Sequence, residues 1–327
     1  MPPVRRSLLF TPANVRRFVE GVWRHGADVV VLDLEDSVAP GEKAAAREGV
    51  REAIALVGRG GSEAALRVNA DAVAADCEAG VWPGLCAIVL PKAESAEQVR
   101  ELDTLLSRLE AARSMAGGGV EIMPMIESAA GVRSAYEIAS ASARVRSFGV
   151  LGEADLTADL GIVFDDLHET DVLGYARGEV GLVARALGLT VNGRVWTPGR
   201  STIADYGDAE ALDRSMQASW EGGCRSTFCV HPAQVAAANR GLRPSESDVA
   251  MCAEAVRAYT EAHRQGLAYG VRQGVIIDAA TARSALAAIG YAMECATKDA
   301  VKLLRRREME RAQEAANADS TGDAETP

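Results

Sequence analysis

The chain lacks the cysteine and histidine patterns that would tie it to disulfides or zinc. Its six cysteines are scattered over 327 residues without a C-x-x-C pair, and its four histidines form no cluster at zinc spacing. Neither a disulfide framework nor a zinc site is therefore indicated, and a reducing cytoplasm is the compartment this usage fits. No apolar run approaches the ~20 residues a membrane helix needs. Positive charge is also in short supply: 35 Lys and Arg face 46 Asp and Glu, a formal net charge of -11. A nucleic-acid surface needs clustered cations to replace phosphate counterions, so that partner class is excluded, whereas a local basic patch for one phosphorylated ligand is not. Repeats at a fixed period are absent. The first nineteen residues hold four Arg and no acid, as a transit peptide does, but "RRSLLFTPAN" reads as a first strand and turn.

What is present is ordinary soluble composition, 48% hydrophobic and 25% charged, on a chain long enough to bury a large core. Eight apolar runs of strand length lie at Ser7–Phe10, Asp28–Leu34, Ala64–Val68, Cys86–Leu90, Glu121–Ile126, Ser147–Leu151, Thr190–Trp196 and Thr227–Val230. They are rich in Val, Leu and Ile and lack polar alternation, as expected of parallel strands covered on both faces. Between them, Val50, Ile54 and Val57, then Val99, Leu102, Leu106 and Leu109, then Leu212, Met216 and Trp220 recur at helical spacing. Ser95 and Gln98 predict a capping box. This alternation predicts a (β/α)8 TIM barrel, with a doubly wound open sheet as the rival.

After Gly241 the pattern changes. "PSESDVAMCAEAVRAYTEAH" reads as a capped helix, "GVIID" as a brief extended piece, and "AATARSALAAIGYAMECATKDAVKLLRRREMERAQ" as helix. The expected division is a barrel over 1–243, a C-terminal helical lid or oligomerisation segment over 244–314, and a disordered tail over 315–327.

In a parallel barrel the active site forms at the carboxyl ends of the strands, which explains why "ADVVVLDLEDSVAP" runs from a buried strand into Asp33, Glu35 and Asp36. Arg67 and Asn69 end the third run, Lys92 the fourth, Glu127 the fifth and His231 the eighth, and Asp155 follows the sixth. Glu127 and Asp155 are candidate ligands for a hard divalent cation, which one or two carboxylates hold while water and substrate fill the remaining positions; helix caps or surface acids are the other reading for both. Arg67 would supply a permanent cation for a carboxylate or a developing enolate oxygen, or would pair with Asp33 to Asp36, and both can hold at once. Lys92 would contact phosphate or pair with Glu94. His231, before Pro232, reads as a structural cap, and His25, His168 and His263 have no converging partners.

At these residues the chain resembles the HpcH/HpaI aldolase and citrate lyase β-subunit family, in its CitE-like branch with malyl-CoA and citramalyl-CoA lyases. The matching pieces are "RRSLLFTPAN", "GADVVVLDLEDSVAPGEKAAAR", "LRVNA", "IVLPKAES", "MPMIESAAGV", "GEADLTADLG", "YARGEVGLVARALGL", "VHPAQVAAAN" and "GVIIDAATARSA", in family order to about residue 290. The resemblance implies a TIM barrel assembled as a homotrimer or hexamer. Glu127 and Asp155 would bind Mg2+, with Mn2+ as a substitute, and Arg67 would contact the substrate. Asp278 would be donated to the neighbouring subunit's site, and Asp33, Glu35, Asp36 and Lys92 would stand behind these groups. The sequence departs from the family at Arg225 and Ser226, where Gly-Lys is usual, at Ala280 in place of a proline, and in a longer "VNGRVWTPGRSTIADYGD".

The implied activity is cleavage or formation of a 3-hydroxyacyl-CoA such as malyl-CoA, citramalyl-CoA or β-methylmalyl-CoA, with an acyl-CoA and a 2-keto acid as its partners. The alternatives are a malyl-CoA thioesterase, a CoA-independent 2-keto acid aldolase, and a citrate lyase-like subunit acting on a carrier-bound thioester.

Overall fold

The strands close into a cylinder because β1 pairs in parallel with both β2 and β8, which overturns the open-sheet rival. The computed structural model describes residues 3–150, 152–162, 173–193 and 208–322. Its barrel strands are β1 (Ser7–Pro12), β2 (Val29–Asp33), β3 (Glu63–Arg67), β4 (Leu85–Leu90), β5 (Glu121–Ile126), β6 (Ser147–Val150), β7 (Thr190–Gly193) and β8 (Ser226–Cys229). They correspond to the eight predicted runs. The end of the seventh run and the long "RVWTPGRSTIADY" connection after it lie outside the described residues.

Around the strands run α1 (Arg16–Gly21), α2 (Lys43–Arg59), α3 (Val73–Gly80), α4 (Ala96–Ala112), α5 (Ala129–Arg133), α6 (Ala135–Ser140), α7 (Glu153–Asp159), α8 (Gly174–Ala186), α9 (Ala209–Glu221) and α10 (Ala233–Gly241). The predicted stripes face inward: Val50, Ile54 and Val57 are buried on α2, Val99, Leu102, Leu106 and Leu109 on α4, and Leu212 and Met216 on α9. Ser95 and Gln98 form both bonds of the capping box at the start of α4.

Successive strand residues point alternately to the helices and to the barrel interior. The interior is filled by Leu8, Val29, Val31, Ala65, Ala87, Val89, Met123, Met125 and Phe228. None of these comes from β6 or β7. There the helix-facing residues are Phe148 and Val191, so the alternation turns Ser147 and Asn192 inward. Asn192 is 5% exposed, and among the described residues neither of its amide atoms nor Ser147 Oγ has a hydrogen-bond partner.

Beyond the barrel, α11 (Glu246–Arg264) opens with a Ser245–Asp248 capping box. A hairpin of β9 (Gly270–Arg272) and β10 (Val275–Ile277) follows, turned by Gln273 and Gly274 at φ 48° and 81°. The chain ends in α12 (Ala279–Gly322), 44 residues and therefore about 66 Å long. This helix runs past residue 315, where a disordered tail was expected; "AANADS" is small and polar but Ala-rich, and Ala is the strongest helix former. Residues 323–327 lie outside the described residues.

The lower part of α12 lies across the amino-terminal end of the barrel. Arg6, just before β1, bonds Asp28, just before β2, at 2.9 Å and Asp299 of α12 at 2.5 Å. Lys302 bonds Asp28, and Lys298 Nζ reaches Glu63 Oε2 at 2.9 Å. Arg6 and Asp28 are fully buried. Burial works to raise the Asp28 carboxyl, but Arg6 and Lys302 outweigh it and hold the group down at about 2. Arg225 falls on this same underside: its guanidinium stacks 3.6 Å from the Trp220 ring centroid, and Tyr291 of α12 donates to its carbonyl. That departure from the family pattern therefore serves packing of α12 rather than the opposite rim. Among the described residues no helix is long and apolar enough to cross a membrane.

Candidate active site

The carboxyl ends of β2, β3, β4 and β5 gather a charged cluster. Asp33 and Arg67 are register partners at the ends of β2 and β3, which aims the guanidinium across the rim. Arg67 Nε donates to Asp33 Oδ1 and Nη2 to Asp33 Oδ2, both at 2.7 Å, and Nη1 donates to Asp36 Oδ2 at 3.0 Å. Glu35 Oε2 lies 3.1 Å from Nη1 but out of hydrogen-bond alignment. The guanidinium also sits 4.5 Å from the Phe10 ring centroid, and Phe10 stacks on Phe228. Three of the five guanidinium N–H groups are used in these bonds, leaving one on each of Nη1 and Nη2 for a ligand.

These charges perturb one another. Burial opposes the Asp33 charge, but the Arg67 fork, Ser37 and the Glu35 N–H outweigh it and hold Asp33 below the usual carboxylate range. Burial also lowers the affinity of Arg67 for its proton, and the three acids more than reverse that. Glu35 behaves oppositely: burial raises it in spite of Arg67.

Glu127 stands at the end of β5, 4% exposed. It caps no helix, because Ser128 holds that place on α5 through its bond from Gly131 N–H. Its Oε2 accepts the Lys92 backbone N–H at 2.8 Å. Burial first, then the charges of Asp155 and Glu35, push its carboxyl up to about 7. Asp155 lies in the first turn of α7, exposed to solvent, and the Gly152 before that helix packs directly on the Glu127 carboxylate. The two acids follow neighbouring strands, β5 and β6, and the charge of Asp155 is felt at Glu127.

Several sequence readings change. Lys92 pairs through Nζ with Glu35 Oε1 at 3.2 Å and not with Glu94, which accepts from Ser128 Oγ. Lys92 itself has a left-handed backbone, with φ of +50°. His231 has the capping geometry expected of it, its Nδ1 accepting the Ala233 N–H at 3.2 Å. Asp278 is not brought to this mouth: it precedes α12, exposed, and accepts the Thr281 N–H at 2.8 Å, which lowers its carboxyl below the ordinary range. Phe10, Gly152 and Lys43, whose ammonium bonds Asn69, escape sequence reasoning. Only the inward parity of Phe10 with Leu8 on β1 signalled any of them.

A hard cation fits this donor set. Among the described residues the ion pairs of Asp33, Glu35 and Asp36 are with Arg67 and Lys92, and Glu127 is driven toward its neutral form first by burial and then by Asp155 and Glu35. Oxygen donors with surplus negative charge suit Mg2+ better than a soft metal. Among the described residues no group of three or more His, Cys, Asp and Glu is arranged around one point, so an ion here would take two carboxylates and fill its shell from water and ligand.

Comparison with known proteins bears on the same surface. The model of the HpcH/HpaI aldolase/citrate lyase family matches residues 6–232. The citrate lyase subunit beta of Leuconostoc mesenteroides subsp. cremoris is 32% identical over 279 residues, 84% of this chain and 89% of that protein. An L-malyl-CoA/beta-methylmalyl-CoA lyase of Cereibacter sphaeroides is 31% identical over 309 residues, 87% of this chain and 94% of that protein. The crystal structure of CitE from Mycobacterium tuberculosis, in complex with magnesium, acetoacetate and coenzyme A, matches with a TM-score of 0.65 at 25% identity, covering 89% of this chain and 98% of that one.

Proposed function

The chain belongs to the HpcH/HpaI aldolase/citrate lyase family, and from that premise we propose that it is a magnesium-dependent carbon–carbon lyase. Its substrate is a 3-hydroxyacyl-CoA carrying a carboxylate on the hydroxyl carbon, and its products are an acyl-CoA and a 2-keto acid. The observation that supports the reading is that Glu127 and Asp155 follow the adjacent strands β5 and β6, with the charge of Asp155 felt at Glu127 and the Arg67 guanidinium on the same rim. The relatives' names and the ligands of the CitE structure support it.

Glu127 and Asp155 would hold the Mg2+, which when bound supplies a Lewis acid and a template for the substrate's carboxylate and hydroxyl oxygens. Arg67 presents its two remaining N–H groups to the thioester oxygen, where negative charge grows as the bond to the α-carbon breaks. Its orientation is set beforehand by Asp33, Asp36 and the Phe10 face, so little reorganisation accompanies the reaction. Loss of the hydroxyl proton to solvent converts that carbon to the keto-acid carbonyl, and the bonding pair passes into the acyl-CoA enolate. Asp278, after taking up a proton from solvent, would then deliver it to the enolate carbon.

We assign that last role to a neighbouring copy, since Asp278 precedes the stretch of α12 that is bound beneath the barrel, on the side opposite the candidate mouth. The appendage around it exposes Leu267, Tyr269, Val271, Val275 and Ile276, an apolar surface of the kind that seats on a partner. We therefore read the working unit as a homotrimer or hexamer. Its six cysteines are all free thiols, which suits the cytoplasm.

The test is incubation of the purified protein with Mg2+ and malyl-, citramalyl- and β-methylmalyl-CoA, with products identified by mass. A keto acid together with a shortened acyl-CoA, lost in chelator, is expected. Free malate without keto acid would replace the lyase with a thioesterase, and full activity in chelator would end the metal reading.

A further inference from the structure

We infer that Lys92 is a positioning residue: its left-handed backbone aims Glu127, and its ammonium links that side of the mouth to Arg67 through Glu35. The inference rests on the magnesium reading above and adds to it a determinant of which Glu127 oxygen is left to bind.

Among the described residues three non-glycine residues have positive φ: Lys92 at 50°, Ser114 at 52° and Gln273 at 48°. Such a conformation is uncommon for a residue with a side chain. Ser114 and Gln273 are exposed, one in the turn after α4 and the other in the hairpin turn, where a positive φ simply reverses the chain. Lys92 is different, because it follows β4 at the rim of the site and both of its backbone groups, with the N–H that follows, are engaged. Its N–H donates to Glu127 Oε2 at 2.8 Å, and the next N–H, of Ala93, donates to the Met125 carbonyl at 3.1 Å. Its own carbonyl accepts from Gln98 Nε2 at 3.3 Å, and Gln98 is itself locked in the capping box with Ser95.

Consecutive N–H groups of an extended strand point in opposite directions. Here both reach the same neighbour, β5 and the glutamate that ends it, and the positive φ at Lys92 is what turns them together, as in the concave arrangement of backbone N–H groups that receives anions. The strained conformer is thus over-determined, the condition under which strain persists at functional sites. Its effect is to occupy Oε2 of Glu127. Oε1 then lies on the Gly152 side, toward α7 and Asp155.

The side chain extends the same linkage. Lys92 Nζ donates to Glu35 Oε1 at 3.2 Å, and Glu35 Oε2 stands 3.1 Å from Arg67 Nη1. Glu127, Lys92, Glu35 and Arg67 form one continuous run from the candidate ion site to the candidate enolate site.

Two substitutions separate the backbone from the ammonium. Lys92→Gly keeps a residue at ease with positive φ and removes the charge; Lys92→Val penalises positive φ through its β-branch. Mn2+ binding is read without substrate by the loss of the free-ion EPR signal, and kcat and KM are read on whichever CoA thioester the protein cleaves. Lys92→Gly should bind Mn2+ within about threefold of wild type while kcat falls about tenfold, and Lys92→Val should lose about tenfold or more in Mn2+ affinity. If Lys92→Val fails to fold by circular dichroism, Lys92→Ala takes its place with a smaller loss in the same direction. A folded valine or alanine variant that binds Mn2+ as wild type does, or a glycine variant that loses as much affinity as valine, overturns the backbone role; a glycine variant with unchanged kcat overturns the ammonium role. Failure of the wild type itself to bind Mn2+ overturns the metal reading and this inference together, whereas normal wild-type binding beside an unaffected valine variant overturns this inference alone.

Discussion

Gly152 leaves no room for a side chain against Glu127: a Cβ built there would lie 2.7 Å from Glu127 Cδ, and closer still to Cγ and Oε1. The smallest change, Gly152→Ala, must therefore displace the carboxylate by a large fraction of an ångström. Divalent-ion affinity should fall about 10- to 100-fold, with circular dichroism unchanged. Titration calorimetry with Mg2+ on the two proteins checks this, and equal affinities would mean that the Glu127 carboxylate does not contribute to binding.

Arg67→Lys keeps the charge but loses the fork that grips both Asp33 oxygens and the flat face laid on Phe10. Because the remaining N–H groups act on charge that develops during the reaction, kcat should drop by about 10²–10³ with KM changing far less. Steady-state kinetics decide it; a rise in KM at constant kcat would show that Arg67 only binds substrate.

Asp278 and Glu127 should complement in trans. Asp278→Ala and Glu127→Gln should each be inactive alone, yet a mixture of the two, dissociated and reassembled, should regain activity because some sites then combine an intact acid with an intact ion pocket. Continued inactivity in demonstrably mixed oligomers would return Asp278 to a plain helix cap.

Asp28 supplies a pH dependence to stability. Its folded value of about 2 lies below the ordinary 3.8, so its ionised form stabilises the fold above about pH 4, and that contribution, about 2–3 kcal/mol, is lost as pH falls toward 2. Denaturant midpoints measured between pH 5 and 2 should decline through this window. Asp28→Asn should be less stable at pH 7, since it strands the buried Arg6, and should show a shallower acid limb; parallel limbs would remove Asp28 as the cause.

Asn192 should be replaceable at a profit in stability. Its amide is buried in the barrel with no bonding partner among the described residues, and removing an unsatisfied polar group typically recovers about 1–3 kcal/mol. Asn192→Val should raise the melting temperature by a few degrees in differential scanning calorimetry. A fall would reveal a bound water or ligand that the amide serves.

The barrel was legible because its strands are covered on both faces, so Val29–Leu32 or Ile88–Leu90 carry no polar alternation and end abruptly in charge. The candidate site was legible for the same reason: Asp33, Arg67 and Glu127 are the residues at which the apolar runs stop. What escaped was information that side-chain chemistry does not encode. Gly152 matters through the atom it lacks, Lys92 through a backbone angle, and Phe10 through a face that only the alternation of β1 assigns. The length of α12 was hidden because hydrophobic periodicity fades in "AANADS" while helix propensity does not.

The long terminal helix has one more consequence. Pinned beneath the barrel at Tyr291, Asp299 and Lys302, it acts as a stiff rod, and the roughly 13 residues separating the first of these anchors from Asp278 set the acid about 20 Å away along its axis. Such a rod cannot fold back over its own rim without tearing out its moorings. A protomer in isolation would then be one proton donor short, and damage at the foot of the rod would be felt in another protomer's chemistry before it was felt in its own.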